Sequence, residues 1–226
     1  MAKAVNNQDK AEVRQETIDA TVSKAQEWLD KNKKNIYIVI GAIVVVALLA
    51  LAFNKFIYQP KCAEAMEQAY PAELNFQQGE FELALNGDGN VLGFADIIDS
   101  YGAKAGKASY LYAGICELQL GNFEEAVNYL KKYNGKEPVL AARAKACEGD
   151  AYVGLENYDA AVKCFEAAIA KGDNVLAATY CVKAGLAYEK LGNKEKALEC
   201  YKMVQDRFPQ SVEAYDIDRY ISRLGE

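Results

Sequence analysis

The sequence predicts an all-α protein that has a single N-terminal transmembrane helix followed by a solenoid of paired helices. Residues 36–53 contain no charge, and with the flanking Asn35 and Asn54 the uncharged run is long enough, as a helix, to cross a hydrocarbon core of about 30 Å. From residue 107 onward, small and large residues recur at a spacing of 35 or 36 positions, which is typical of stacked helical repeats. These features divide the chain into a polar leader (1–35), an anchor (36–58), a first helix pair (59–106) and the repeats with a final helix (107–226).

The apolar run has two other interpretations. A helix in a soluble core would be expected to keep a polar face, and residues 36–53 have none. A cleaved signal peptide begins with a short basic region, whereas 35 residues with six acidic side chains precede this run. The small residues Ala50 and Ala52 resemble a cleavage site and keep the second alternative open. We interpret the run as an uncleaved anchor.

Lysines at the two ends of the run predict its orientation. Positive side chains favour the cytoplasmic side of a membrane. Lys24, Lys31, Lys33 and Lys34 precede the run, whereas only Lys55 and Lys61 follow it closely. We therefore expect a single-pass protein of a bacterial inner membrane, with a cytoplasmic N-terminus and a periplasmic repeat domain. The leader itself is predicted to form a short amphipathic helix from Thr17, with Trp28 near the membrane interface.

Composition argues against several functional classes. Residues 62–226 contain 17 Lys plus Arg and 26 Asp plus Glu, a net charge of −9, which disfavours nucleic acid as a partner. The chain has no His, so His-based catalysis and most catalytic zinc sites are excluded. No nucleophile motif or phosphate-binding glycine loop is present. We expect no enzyme activity, no cofactor, no metal and no small-molecule substrate.

The six cysteines allow two interpretations. They lie at positions 62, 116, 147, 164, 181 and 200, and none forms a C-x-x-C pair. An oxidising compartment could pair some of them, and the repeat places Cys164 beside Cys200 and Cys116 beside Cys147 on neighbouring helices. We favour buried free thiols that act as small hydrophobic residues.

Residues 59–106 predict a helix pair that departs from the later repeats. Pro60 is expected to interrupt or kink the chain, and Pro71 to disturb a helix from Cys62 to Gln78. The Asn86–Asn90 segment begins like a calcium loop but lacks its central glycine and final glutamate, so we predict a tight turn. A second helix is expected from Val91 to Tyr101, and the sequence leaves open whether the pair is a true repeat.

Three units from residue 107 share the same landmarks. A small residue in the first helix allows close approach, an alanine of the second helix faces it, and a large residue four positions later fills the adjoining space. The predicted packing residues are Gly114, Gly149 and Gly185, then Ala126, Ala161 and Ala197, followed by Leu130, Phe165 and Tyr201. Gly121 and Gly192 are expected in the turns, and Pro138 and Pro209 are expected to stop the second helices.

These landmarks resemble the tetratricopeptide repeat (TPR) family, whose pattern is W-x2-L-G-x2-Y, then A-x3-F, then P. The third unit contains Gly185, Tyr188, Ala197, Tyr201 and Pro209 in this order. The initial Trp is absent from all three units, and Asp173 replaces the proline of the second. Ser211 to Leu224 is predicted to form a final helix that caps the solenoid, with Ala214, Ile217, Tyr220 and Ile221 facing inward.

The resemblance implies a groove, lined by the first helices, that binds a peptide or helix of another protein. The candidate groove residues are Leu111, Ile115, Leu118, Ala146, Asp150, Val153, Val182, Leu186 and Glu189. Packing between repeats is an equally good explanation for the apolar members. Some TPR domains hold a C-terminal carboxylate with Lys, Asn and Arg, but these faces are mainly aliphatic and acidic, which disfavours that mode.

The order of anchor and repeats resembles the YfgM-like proteins, which are ancillary subunits of the Sec translocon. This resemblance implies a membrane-anchored interaction scaffold that assists protein export or envelope complex assembly, with the translocon or envelope chaperones as partners. The alternative is a structural envelope protein that associates with itself.

Overall fold

The computed structural model describes residues 2–172 and 176–225, and every regular element in these ranges is helical. Asp173, which replaces the expected proline of the second repeat, lies outside the described residues. The chain divides into two compact units, residues 1–58 and residues 59–226.

The first unit is dominated by one long helix, α1 (Ala2–Phe53), which a π-helical turn (Asn54–Tyr58) follows. The leader helix and the anchor, predicted as separate segments, are therefore continuous. Large apolar side chains from Tyr37 to Phe56 are exposed within this unit, as is Trp28. Among the described residues, one helical stretch is apolar and long enough to cross a membrane, by length and composition alone.

The second unit contains ten helices in its described residues. They are α2 (Gln59–Gln78), α3 (Phe81–Asn86), α4 (Phe94–Tyr101), α5 (Lys107–Leu120), α6 (Phe123–Lys132), α7 (Pro138–Gly154), α8 (Tyr158–Ile169), α9 (Ala177–Lys190), α10 (Lys194–Arg207) and α11 (Ile217–Gly225). Two 3₁₀ turns, Gly102–Ala105 and Val212–Tyr215, complete the regular structure. Helices α5/α6, α7/α8 and α9/α10 are the three predicted pairs, and each packs on the next.

The leading pair has a divided second helix. Helix α2 packs against α3, α4 and α5, so α3 and α4 together occupy the place of a second helix. The predicted helix from Val91 begins later, at Phe94, because the Asn86–Asn90 turn extends further along the chain. In this turn, Asp88 Oδ1 accepts hydrogen bonds from the backbone N–H groups of Asn90 and Val91, both at 2.9 Å. These bonds lower the pKa of Asp88 and support the tight-turn interpretation.

Prolines affect the helices less than the sequence suggested. The prediction that Pro71 disturbs its helix was wrong, because helix α2 continues through this residue. Pro60 is the second residue of α2, and the hydrogen-bond pattern changes to a π-helical turn directly before that helix. Pro138 does not stop a helix, because α6 already ends at Lys132. It begins α7 instead, where its fixed φ suits the first helical position.

Three apolar clusters form the core of the second unit. One joins α2, α3 and α4 to α5 around Phe94 and Ile97, and a second joins α5, α6 and α7 around Leu111 and Leu130. The third extends from α7 to the C-terminal helix and contains Tyr201, which is fully buried. Helix α11 closes this end with Ile217 buried, so the predicted cap is present but is divided by the turn Val212–Tyr215.

Candidate interaction groove

The three glycine landmarks lie where the two helices of each repeat touch. A Cβ atom added at Gly149 would lie 2.6 Å from Cε1 of Phe165, and one at Gly185 would lie 2.3 Å from Cε1 of Tyr201. At Gly114 the nearest atom is Cγ of Leu130, at 2.6 Å. The large residue of each second helix therefore packs directly on the glycine. The alanines Ala126, Ala161 and Ala197 are fully buried.

This packing leaves the first helices α2, α5, α7 and α9 to line one face, which we call the groove. Two cavities lie on this face among the residues that the structure describes. The first cavity, of about 190 Å³, lies between α2, α5 and α7 and is lined by Glu73, Phe76, Gln77, Leu111, Tyr112, Ile115, Leu140 and Arg143. The second cavity, of about 570 Å³, involves α7, α8, α9 and α11 and is lined by Asp150, Val153, Tyr158, Phe165, Lys183, Leu186, Ala187, Glu189, Lys190 and Arg223.

The nine candidate groove residues separate into three groups. Asp150, Val153, Leu186 and Glu189 line the second cavity, and Leu111 and Ile115 line the first although both are buried. Leu118, Ala146 and Val182 line neither cavity and pack against the core clusters. Val153 and Leu186 are the apolar candidates with more than a third of their surface exposed, at 38% and 39%. They are therefore the ones best placed to contact a ligand.

Ion pairs organise the second cavity. Nζ of Lys183 donates to both carboxylate oxygens of Asp150, at 2.8 and 2.6 Å, and so links α9 to α7. Burial raises the pKa of Asp150, and the charge of Lys183 offsets this effect in part. Arg223 of α11 donates to Oε1 of Glu189 at 2.6 Å, and the Tyr201 hydroxyl donates to the same oxygen. The capping helix thus contributes directly to the wall of the cavity.

The expectation of a mainly aliphatic and acidic groove was wrong. Four cations, Arg143, Lys183, Lys190 and Arg223, line the two cavities together with three carboxylates. The sequence could have identified Lys183 as a groove residue, because it lies one helical turn before Leu186. The sequence could not have identified Arg223 in this way, because only the packing of α11 brings it to the groove.

The cysteines show no sign of catalytic chemistry. None of the six thiols is in a disulfide bond, and burial raises the pKa of Cys116 and Cys200 to about 12 and that of Cys147 and Cys164 to about 11. Since the thiolate is the reactive form, these four thiols are poor nucleophiles at neutral pH. No cluster of three His, Cys, Asp or Glu side chains that could hold a metal ion is found among residues 22–24, 26–172 and 176–225.

Comparison with known families identifies the helix pairs. Residues 108–138 and 148–212 each match a tetratricopeptide repeat model, so this part of the chain consists of TPR units. No curated protein sequence gives a match. TPR units serve protein–protein interaction, and their presence supports a protein-interaction scaffold.

Solved structures share the fold. Two crystal structures of MamA match with a TM-score of 0.53 each. The first is 19% identical and covers 73% of this chain and 86% of its own chain, and the second is 20% identical and covers 68% and 91%. At this level of identity, the likeness concerns the fold alone.

Proposed function

We propose that this protein is a membrane-anchored scaffold, without enzyme activity, whose TPR groove binds other proteins at the outer face of a bacterial inner membrane. The observation that carries the proposal is the open second cavity, which combines exposed apolar side chains with charged groups and lies on TPR units. The uncharged run at residues 36–53 supports the anchor, and the lysine bias supports a cytoplasmic N-terminus.

The order of anchor and repeats further suggests a role beside the export machinery. In this proposal the protein is a YfgM-like ancillary subunit that assists the Sec translocon, envelope chaperones or the assembly of envelope complexes. The anchor, residues 36–58, would hold the groove close to proteins that emerge from the membrane. The net charge of −9 on residues 62–226 would keep the domain away from anionic lipid headgroups.

Photocrosslinking in intact cells tests the scaffold function. A photoreactive phenylalanine analogue at Leu186 in the second cavity should give defined crosslinked partners. The same analogue at Lys163, which is exposed on α8 and lines neither cavity, is the matched control. Defined products from position 186 alone would support the proposal. Their absence, or identical products from both positions, would contradict it.

Self-association is the second candidate, and one surface favours it. Val212 and Tyr215 are 82% and 88% exposed and lie three residues apart on a 3₁₀ turn, where such side chains align. If this surface joins two copies, the full chain in detergent should sediment as an oligomer that Tyr215→Ser dissociates. A monomer at micromolar concentration would exclude this candidate.

A further inference from the structure

The two cavities of the groove lie at opposite ends of one helix. Leu140 and Arg143 of α7 line the first cavity, whereas Asp150 and Val153, ten residues further along, line the second. Ten residues of α-helix correspond to a rise of about 15 Å. A ligand that fills both cavities must therefore extend over at least this distance, which requires about five residues of extended chain.

Each cavity combines an apolar lining with one cation that lacks a carboxylate partner. Lys183 and Arg223 are paired with Asp150 and Glu189. Arg143 in the first cavity and Lys190 in the second are exposed, and neither has an ion-pair partner among residues 22–172 and 176–225. Both side chains are thus available to a negative group on a ligand.

The sign of charge in the groove contrasts with that of the domain. The two cavities together are lined by four cations and three carboxylates, a net of +1. Residues 62–226 as a whole have a net charge of −9. Because the groove lining has a small excess of positive charge within an acidic domain, an acidic ligand is favoured there over the domain surface as a whole.

We propose, building on the scaffold function, that the groove recognises an extended internal segment of a partner protein that carries two apolar anchors, each followed two positions later by an acidic residue on the same side of the chain. The anchors enter the two cavities, and the acidic side chains pair with Arg143 and Lys190. A spacing of six residues suits the geometry, because it covers about 20 Å and directs both anchors to the same side of an extended chain. A single C-terminal carboxylate does not account for the arrangement, because the two cations without a carboxylate partner line different cavities.

A defined peptide tests this specificity on the full chain in detergent micelles. The probe is a peptide with the order Leu-Gly-Asp-Ser-Gly-Ser-Leu-Gly-Asp, an amidated C-terminus and a fluorophore on its N-terminal amine, and binding is measured by anisotropy. Three comparison peptides replace both Asp by Asn, replace both Leu by Ser, or shorten the spacer so that the anchors are four residues apart. We expect each change to weaken binding at least fivefold.

Charge reversal in the protein provides the complementary test. Arg143→Glu and Lys190→Glu should each weaken binding of the probe about fivefold, as expected for the loss of an exposed ion pair. Lys163→Glu and Lys202→Glu, which alter exposed lysines of α8 and α10 outside both cavities, are the matched controls and should bind normally. The Arg143→Glu/Lys190→Glu double variant should prefer a probe in which Lys replaces both Asp residues.

The peptide and crosslinking results together test the groove specificity separately from the scaffold function. Equal binding of the Asp and Asn peptides, equal effects of groove and control reversals, or no binding at millimolar peptide would overturn the proposed specificity. The switch of preference in the double variant also shows that this variant remains folded. Partners crosslinked from Leu186 together with a failed peptide test would leave the scaffold function intact and remove this inference. Peptide binding without any crosslinked partner would support the groove specificity and contradict the scaffold function.

Discussion

At the scale of single residues, the contact between the two helices of a repeat depends on the absence of one methyl group. Gly149→Ala would place a Cβ 2.6 Å from Cε1 of Phe165, whose ring is buried and cannot turn away freely. We expect the free energy of unfolding of the second unit to fall by about 1–3 kcal/mol through overpacking. Chemical denaturation of the full chain in detergent, followed by circular dichroism, measures this change.

The same substitution has two internal controls. Gly225→Ala lies in α11, where an added Cβ meets no atom within 4 Å, so its effect should be small. Phe165→Leu removes the clashing ring, so the double variant should lose less stability than the two single variants combined. Unchanged stability of Gly149→Ala would mean that the helices do not touch at this glycine.

One turn carries a local backbone strain that its equivalents avoid. Glu156 has a φ of 57°, in the left-handed region, whereas the equivalent positions in the other repeats are Gly121 and Gly192. Because a side chain is unfavourable in this conformation, Glu156→Gly should stabilise the protein by about 1 kcal/mol. The reciprocal Gly192→Glu should destabilise it by a similar amount. Thermal unfolding with both variants checks the prediction, and a lower melting temperature for Glu156→Gly would contradict it.

At the scale of the element, an asparagine before each second helix has a role that depends on its neighbours. Asn157 and Asn193 accept hydrogen bonds from backbone N–H groups three residues later, at 3.2 and 3.1 Å, and so cap α8 and α10. Asn122 is at the equivalent position but donates instead to Oε2 of the buried Glu117, at 2.8 Å. The repeated asparagine therefore caps the second helix in two repeats and binds a buried glutamate in the other.

The cap of α10 can be tested by two substitutions at one position. Asn193→Ala removes the acceptor and should lower the free energy of unfolding by about 1 kcal/mol. Asn193→Asp keeps an acceptor next to the positive end of the helix and should retain most of the stability. Urea denaturation of both variants measures the difference. Equal loss in both would indicate that the side chain acts through something other than capping.

Local sequence patterns predict some of these helices and not others. The period of 35 or 36 residues predicted the helix pairs, because each glycine and its large partner follow from local spacing. The role of Pro138 was predicted wrongly, because proline is compatible with both the end and the first turn of a helix. The division of the leading pair into α3 and α4 likewise depends on how both pieces pack against α2 and α5.

At the scale of the whole molecule, the proposed orientation can be tested with the cysteines. Cys62 is half-buried and follows the apolar run closely, whereas burial raises the pKa of Cys116, Cys147, Cys164 and Cys200. With the repeats outside the cytoplasm, a membrane-impermeant maleimide added to spheroplasts should label Cys62 faster than these four thiols. Mass spectrometry of the labelled protein measures the reaction at each site.

Two comparisons make that labelling experiment decisive. Cys62→Ser should remove the fast reaction and leave the slow ones. Labelling of Cys62 only after the cells are lysed would place the repeats in the cytoplasm and contradict the proposed orientation. The lysines that motivate the orientation, Lys31, Lys33 and Lys34 among them, could then not be its determinant.

The sequence by itself determined the properties that arise from neighbours along the chain. The uncharged run, the helical period and the pairs of a glycine with a large residue are local patterns, and each is recognisable without the fold. It also determined that residues 62–226 are acidic and that the chain lacks His.

The tertiary structure decided which side chains share a cavity. Asp150 and Lys183 are 33 residues apart and Glu189 and Arg223 are 34 apart, and only the stacking of neighbouring repeats and of the capping helix brings each pair together. Stacking buries Leu111, Ile115 and Ala146, while it leaves Val153, Leu186, Arg143 and Lys190 exposed. A helix face read from sequence does not distinguish packing residues from groove residues, because burial depends on the neighbouring repeat.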